Sequence, residues 1–426
     1  MPSNDFDAIV IGCGPGGSSS ATFLAQAGKR VLALEKEIFP RFHIGESLLP
    51  ANHTLFREMG VMRKLQQAGF LRKVGAYFEL SNGSLGNRVV FGEGKFNREP
   101  EAFHVERSRF DHILLKHARE TGADVREGWS VQRFTKDASG VTVEACAPDK
   151  QVHIFRGSFL IDASGRGNLT GNTEGIRVIH PRHKKVAIFG HFGNVALPPI
   201  QDRLDTIIVR LPNKWFWIIP LSAEKTSVGL VIDQEEFNRS RGSPDEVFWH
   251  WVEASSVVQE RMKDARLVND LQTTSDFSYY NRRLAGERLL RVGDAAGFLD
   301  PIFSAGVFLA MWSGKLAAQT VVESLRRGIT GGRLFAQYEK RVRRGLTFYW
   351  RIVENYYTSP FMELFLRPPP RGRRLDIASA VIAVLAGEVE GSWAMRWRTE
   401  FFFWLVRIQS FWPLVPRISF AAGGRR

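Results

Sequence analysis

Short apolar runs punctuated by glycine open the chain. Residues 7–11, Asp-Ala-Ile-Val-Ile, read as a β-branched strand that feeds into Gly12-Cys13-Gly14-Pro15-Gly16-Gly17. Residues 18–27 then read as a helix stopped by Gly28, and Val31-Leu32-Ala33-Leu34 as a second buried strand ending at Glu35. That order predicts a βαβ unit. Residues 75–100 and 130–158 alternate apolar and polar positions between Gly-rich turns, which predicts antiparallel strands. Residues 183–232 do the same, with 207–211, 215–219 and 226–232 as candidates for one sheet. In the middle of it, Trp215-Phe216-Trp217-Ile218-Ile219-Pro220 sets two tryptophans on one strand face, and the proline ends the strand. After about residue 310 the apolar spacing is helical up to a break at Pro368-Pro369-Pro370. No internal repeat is present.

Composition adds bounds. With 426 residues, 44% hydrophobic and 24% charged, the chain can bury a sizeable core in two lobes plus a terminal extension. Its net charge of +14 gathers in segments 281–291, 326–344 and 367–374, which favours an acidic partner. An acidic carrier protein or an anionic membrane surface fits better than nucleic acid, because no zinc-ligand spacing or RNA-binding signature appears. No metal site is expected. Cys13 and Cys146 are far apart in sequence and form no Cys-x-x-Cys pair, so neither a disulfide scaffold nor a dithiol redox centre is suggested, and a reducing cytoplasm fits. From Met1 the chain enters its first strand without a basic leader and apolar core, so no secretory signal is expected. The densest apolar stretch, 401–406, is too short to span a bilayer.

The glycines have a chemical reading. Gly12 permits the tight turn, Gly14 lets the backbone approach a pyrophosphate, and Gly17 lets helix and strand pack closely, with the helix N-terminus facing the phosphates. Glu35, ending the next strand, would hold the adenosine ribose. Two further strand–turn junctions, Phe159-Leu160-Ile161-Asp162-Ala163-Ser164-Gly165 and Leu289-Leu290-Arg291-Val292-Gly293-Asp294-Ala295-Ala296-Gly297, accompany the loop. Together these segments resemble the flavoprotein monooxygenase family, which implies FAD rather than NAD and assigns Asp294 to the ribitol chain. Arg41, in Pro40-Arg41-Phe42-His43-Ile44-Gly45-Glu46-Ser47, and Arg107, in His104-Val105-Glu106-Arg107, match family positions near the flavin. On residue type alone each is equally a surface arginine.

Three features narrow the resemblance to the flavin-dependent halogenases, in their phenol and pyrrole branch. The first is the Trp-x-Trp-x-Ile-Pro run, in which Trp215 and Trp217 mark the pocket. The second is Phe298-Leu299-Asp300-Pro301-Ile302-Phe303-Ser304-Ala305-Gly306, where backbone amides around Ser304, Ala305 and Gly306 would form a halide nest. The third is Lys73, in Leu71-Arg72-Lys73-Val74-Gly75-Ala76, which resembles the catalytic lysine. The family chemistry uses reduced FAD from a separate flavin reductase, dioxygen, and chloride or bromide. Hypohalous acid then passes to the lysine, which presents halogen to an electron-rich ring. Tryptophan halogenases carry a glutamate where this chain has Phe303, so the resemblance implies a phenol or pyrrole, in some relatives tethered to an acidic acyl or peptidyl carrier protein. Aromatic hydroxylases and prenyl-lipid reductases of the geranylgeranyl reductase type share the Gly-rich loop and the Gly-Asp pair.

The expected fold is α/β. A Rossmann-like FAD lobe (1–75, 100–180 and 285–330) is interrupted by an antiparallel-sheet substrate lobe (76–99 and 181–284), and a helical C-terminal region (331–426) follows. Its tail, 392–420, sets Trp393, Trp397, Trp404, Phe411 and Trp412 among Arg396, Arg398 and Arg407. That pattern suits a helix packed on the body, peripheral contact with a membrane surface, or the grip of a partner.

Overall fold

Alternation and glycine spacing lay down two eight-stranded sheets, accompanied among the described residues by a three-stranded and a two-stranded one. The computed structural model describes residues 5–181, 183–198, 204–275, 278–368 and 375–420. Two of the three prolines at the 368–370 break lie outside that set.

Phe6–Ile11 and Val31–Glu35 pair in parallel, with Val10 opposite Ala33, and the helix Pro15–Gln26 crosses between them. This helix starts three residues earlier than the sequence pattern suggests, because Gly14 serves as N-cap and Pro15 pre-sets the first turn. The first sheet runs Ala285–Gly286, Leu289–Arg291, Val152–Asp162, Phe6–Ile11, Val31–Glu35, Asp124–Glu127. Its pairings from Leu289–Arg291 through to Asp124–Glu127 are parallel, Ala285–Gly286 pairs antiparallel at one edge, and a hairpin of Ser130–Lys136 and Val141–Cys146 extends from the long strand Val152–Asp162.

The second sheet runs Arg266–Leu267, Lys185–Gly193, Thr226–Asp233, Lys214–Pro220, Thr206–Leu211, Gly75–Leu80, Gly86–Val90, with Gln272–Ser275 also paired to Lys185–Gly193. It is antiparallel except at one place: Thr206–Leu211 lies parallel to Gly75–Leu80. That exception follows from connectivity, since the two strands are separated by more than 100 residues and no hairpin joins them.

All seven residues of Lys214–Pro220 are buried. Period-two alternation sends Trp215, Trp217 and Ile219 toward the core shared with the first sheet, and Phe216 and Ile218 toward a second core. Val247, Phe248 and Val252 of the helix Pro244–Glu253 close that second core. Trp217 faces Gly229 on the next strand, where a Cβ would stand 2.2 Å from the indole, so only glycine leaves room for the ring.

The last five helices among the described residues are Ala305–Arg327, Arg333–Tyr356, Ser359–Phe365, Ile377–Leu385 and Trp393–Phe411, and they pack largely on other helices. Ala305–Arg327 packs on Pro15–Gln26, where a Cβ on Gly314 would sit 2.6 Å from the Gly16 carbonyl oxygen.

Candidate active site

A cavity of about 660 Å³ runs from the Gly-rich loop to the inner face of the second sheet. At one end, Gly12 has φ +88° and a Cβ there would meet the Ala163 carbonyl at 2.5 Å, while a Cβ on Gly17 would meet the Gly12 carbonyl at 1.8 Å. Gly14 differs. Its Cβ would meet only Arg41 Nη2, at 3.5 Å, so its missing side chain leaves space to the cavity rather than to packed backbone. This is the cradle a pyrophosphate needs, at the positive end of Pro15–Gln26.

Glu35 is buried on the cavity wall and accepts the amide protons of Cys13 (2.7 Å) and Glu37 (3.0 Å). Those bonds aim the carboxylate and leave lone pairs for ribose hydroxyls. Arg41 is held by Glu37 (2.9 Å) and Asp111 (3.1 Å) beside the loop. Arg107 is forked onto Asp111 (2.7 and 2.8 Å) and donates to the Ile44 carbonyl (2.7 Å), fixing the segment that bears Glu46 and Ser47. Asp294 reaches the same cavity, and burial lifts its carboxyl to about 6 against the pull of Arg166 and Arg107. A carboxyl so desolvated suits hydroxyl partners such as those of ribitol. These residues fit FAD: a phosphate cradle, a ribose carboxylate and a second carboxyl lie along one cavity.

At the other end, Trp215, Trp217 and Ile219 form a wall with Ala187, Phe189 and Ile208. The two indole rings lie 5.8 Å apart. Trp215 Nε1 donates to the Tyr357 hydroxyl (2.9 Å), which donates to Asp300 (2.6 Å), so this wall is tied to the loop before the long helix. Trp217 Nε1 donates to Ser227 (3.1 Å). Ser304 caps that helix in the left-handed conformation, φ +57°, and the amides of Ala305 and Gly306 open its first turn. Apart from its neighbours and its own turn of helix, nothing among the described residues lies within 4 Å of where a Gly306 Cβ would be. Ser304 and Gly306 line the cavity. Ala305 is turned into the protein beside it.

Two sequence-derived positions stand elsewhere than on the wall. Phe303, read as a pocket marker, points away from the main cavity and packs against Tyr356 (5.6 Å) and Phe78 (6.4 Å). The short turn Pro301–Phe303 sends Ile302 to the cavity and Phe303 to its opposite side. Lys73 lies one layer behind the wall, 2% exposed. Its Nζ donates to Ser47 Oγ (2.8 Å) and to the Leu48 carbonyl (3.0 Å), and stands 5.3 Å from the Phe91 ring centre. Burial lowers its pKa to about 7, against the opposing charge of Asp205. A good part of its population is therefore the free amine at neutral pH.

Sequence reasoning passed over Ser47, Thr206 and His104, which join Lys73 in space, and Glu46, whose carboxylate pairs with His191 at 2.8 Å. Ser47 and Glu46 stand beside Arg41 in a run already singled out. Thr206 and His191 carry no local signal, because sheet pairing alone brings them to the site.

The FAD binding domain family matches residues 5–355. The 1H-pyrrole-2-carbonyl-(peptidyl-carrier protein) chlorinase of Pseudomonas fluorescens is 32% identical over 412 residues, covering 91% of this chain and 90% of that one. The tryptophan 2-halogenase of Chondromyces crocatus is 35% identical over 357 residues, 82% of this chain and 67% of that one. Among solved structures, the flavin-dependent brominase Bmp2 superposes with a TM-score of 0.82 at 29% identity, covering 95% of this chain and all of that one. A flavoprotein/dehydrogenase from Cytophaga hutchinsonii superposes at 0.86 with 27% identity, covering 95% of this chain and 99% of that one. The Gly-rich cradle, the tryptophan wall and the buried lysine thus sit on a shared scaffold, and the chain belongs to the flavin-dependent halogenases built on the FAD binding domain.

Proposed function

We propose that this enzyme halogenates an electron-rich ring, a phenol or a pyrrole, with Lys73 as the residue that presents the halogen. The observation that carries the reading is Lys73 itself: a buried lysine with its pKa near 7, one hydroxyl behind a cavity walled by Trp215 and Trp217. Reduced FAD, when bound, supplies the activation of dioxygen that oxidises chloride or bromide to hypohalous acid. Gly12, Gly14 and Gly17 seat its pyrophosphate, Glu35 its ribose and Asp294 its ribitol, with Arg41 and Arg107 alongside. Halide rests on the amides at Ser304, Ala305 and Gly306, where the helix dipole favours an anion. The tryptophans exclude water and confine the ring. Lys73 then either donates a hydrogen bond to hypohalous acid or, as the free amine, takes up its halogen.

The phenol or pyrrole assignment is supported by Phe303, since the resemblance implies a glutamate at that place in tryptophan halogenases, and by the Pseudomonas fluorescens chlorinase, which is named for a pyrrole on a carrier protein. The charge of +14 suits an acidic carrier. A separate flavin reductase would deliver reduced FAD, the cytoplasm would house the reaction, and the aromatic C-terminal helix would touch a membrane surface.

The test supplies reduced FAD, oxygen and bromide with a panel of free and carrier-bound phenols and pyrroles. A product with the paired bromine isotope masses is expected, and Lys73→Ala abolishes it while FAD stays bound. Hydroxylation or alkene reduction driven by NAD(P)H, without halide, overturns the reading in favour of a hydroxylase or a prenyl-lipid reductase.

A further inference from the structure

Lys73 is the end of a buried line of hydrogen bonds. Its Nζ donates to Ser47 Oγ at 2.8 Å; Ser47 Oγ lies 2.8 Å from Thr206 Oγ1, which lies 3.0 Å from His104 Nε2. All four side chains are nearly solvent-free. The backbone fixes them: Leu71–Lys73 pairs with Ala102–His104, Ser47 bridges to His104, and Thr206 starts the strand that pairs with Gly75–Leu80.

The line has a direction. An ammonium can only donate, so Ser47 must accept from Lys73 and has its own proton free for Thr206. Thr206 in turn has its proton free for His104, whose Nε2 must then be the bare ring nitrogen. Ser47 and Thr206 line the cavity, whereas Lys73 and His104 lie behind it. Each hydroxyl in the line has its partners, and His104 Nδ1, which then carries the ring proton, is turned toward the Pro220 backbone. Burial disfavours the charged form of both ends, and the Lys73 charge further disfavours a proton on His104. Asp205 is the other charged group acting on Lys73. The two ends therefore hold one proton between them far more readily than two.

We propose that Ser47 and Thr206 conduct to His104 the proton that Lys73 must release before it takes up halogen. The inference rests on the halogenase reading above, in its amine form. In the step, Lys73 passes a proton to Ser47, Ser47 passes its own to Thr206, and Thr206 passes its own to His104 Nε2. The freed amine attacks the halogen of hypohalous acid: the N–halogen bond forms and the O–halogen bond breaks with its electron pair. The resulting hydroxide takes a second nitrogen proton, giving water and a neutral haloamine. Halogen transfer to the ring returns the ring proton to the lysine nitrogen, and the His104 proton flows back to restore the ammonium. One buried positive charge moves along the line and none is created. His104 acts through the hydroxyls and is a positioning residue.

Thr206→Val keeps the shape and cuts the line, while Thr206→Ser keeps the hydroxyl. Bromination of pyrrole and 4-methylphenol is followed from pH 5.5 to 9 in FAD-loaded protein, with single-turnover rates in H2O–D2O mixtures. Expected for Thr206→Val are a kcat at pH 5.5, where Lys73 is mostly ammonium, lower by on the order of 10²-fold with a much smaller loss above pH 8, an acidic limb moved to higher pH, and loss of the bowed isotope dependence that several moving protons produce. Thr206→Ser restores all three, and FAD binding is unchanged. Wild-type kcat, pH profile and isotope dependence in Thr206→Val overturn the relay, as does a Thr206→Ser variant no better than Thr206→Val. If Thr206→Val fails to fold, Ser47→Ala takes its place and must show the same three changes. A wild-type protein that brominates neither probe nor any carrier-bound ring sinks the halogenase reading; a working wild type indifferent to these substitutions sinks the relay alone.

Discussion

A lysine held among Phe91, Leu48 and Ser47 is a thermodynamic burden that function explains better than stability does. Its pKa falls from 10.5 to about 7 because burial penalises the ammonium. Between those values the unfolded chain keeps a proton that the folded chain has released, so stability rises with pH across that window. Below pH 7 the fold carries the whole penalty. Replacing Lys73 by methionine removes the charge and keeps the length. The expected result is a higher melting temperature at pH 6, worth about 1–4 kcal/mol by analogy with other buried ions replaced by apolar groups. The gain shrinks toward pH 10, and halogenation is lost. Thermal melts of the two proteins at both pH values decide it: an equal loss of stability at pH 6 and pH 10 would mean that the bonds to Ser47 and Leu48 outweigh the buried charge. A residue that weakens its own fold and is needed for turnover is the ordinary trade-off at an active site.

Among elements, the Gly-rich loop separates folding from cofactor binding within six residues. Gly17→Ala drives a Cβ into the Gly12 carbonyl at 1.8 Å, backbone against backbone. It should cost about 3 kcal/mol or more and leave little folded protein. Gly14→Ala meets only the tip of Arg41 and keeps a permitted φ of −64°. It should melt within about 1 kcal/mol of wild type yet bind FAD at least tenfold more weakly, as flavin fluorescence on titration would report. Equal loss of folding in both variants would refute that division. The same contrast explains what could be read in advance. The βαβ unit and the strands near 207–232 were legible because local periodicity writes them directly. The tryptophan run even disclosed its face, since 215 and 217 differ by one period. The environment of Lys73 was not legible: Ser47, His104 and Thr206 converge from three separated segments, and nothing in their local spacing records it. Phe303 was legible as a departure from the indole pattern, but its orientation depends on a short turn whose residues lack a strand or helix period.

Across the whole molecule, the unexplained surface is the last long helix. Trp393, Trp404 and Phe411 lie 11 and 18 residues apart, which at 3.6 residues per turn puts them on one face. They are 78%, 54% and 82% exposed, and Trp412, just past the helix, is 73% exposed. The segment 393–420 carries four arginines against one glutamate, and that glutamate, Glu400, is paired with Arg351 at 2.6 Å. Among the described residues no helix is long and apolar enough to cross a membrane, so a lipid contact here would lie along the surface. Indole rings seat well at headgroup depth, and arginines beside them draw anionic lipid, an attraction that salt weakens over a Debye length of about 8 Å at physiological ionic strength. The FAD-loaded protein should therefore sediment with vesicles containing phosphatidylserine, more weakly with phosphatidylcholine alone, and less as salt rises. Substituting serine at 393, 404, 411 and 412 should abolish sedimentation while leaving bromination of a free phenol unchanged. If vesicles fail to retain the wild type and light scattering instead finds a dimer that the same four substitutions split, the aromatic face joins two copies of the chain and the lipid contact is refuted.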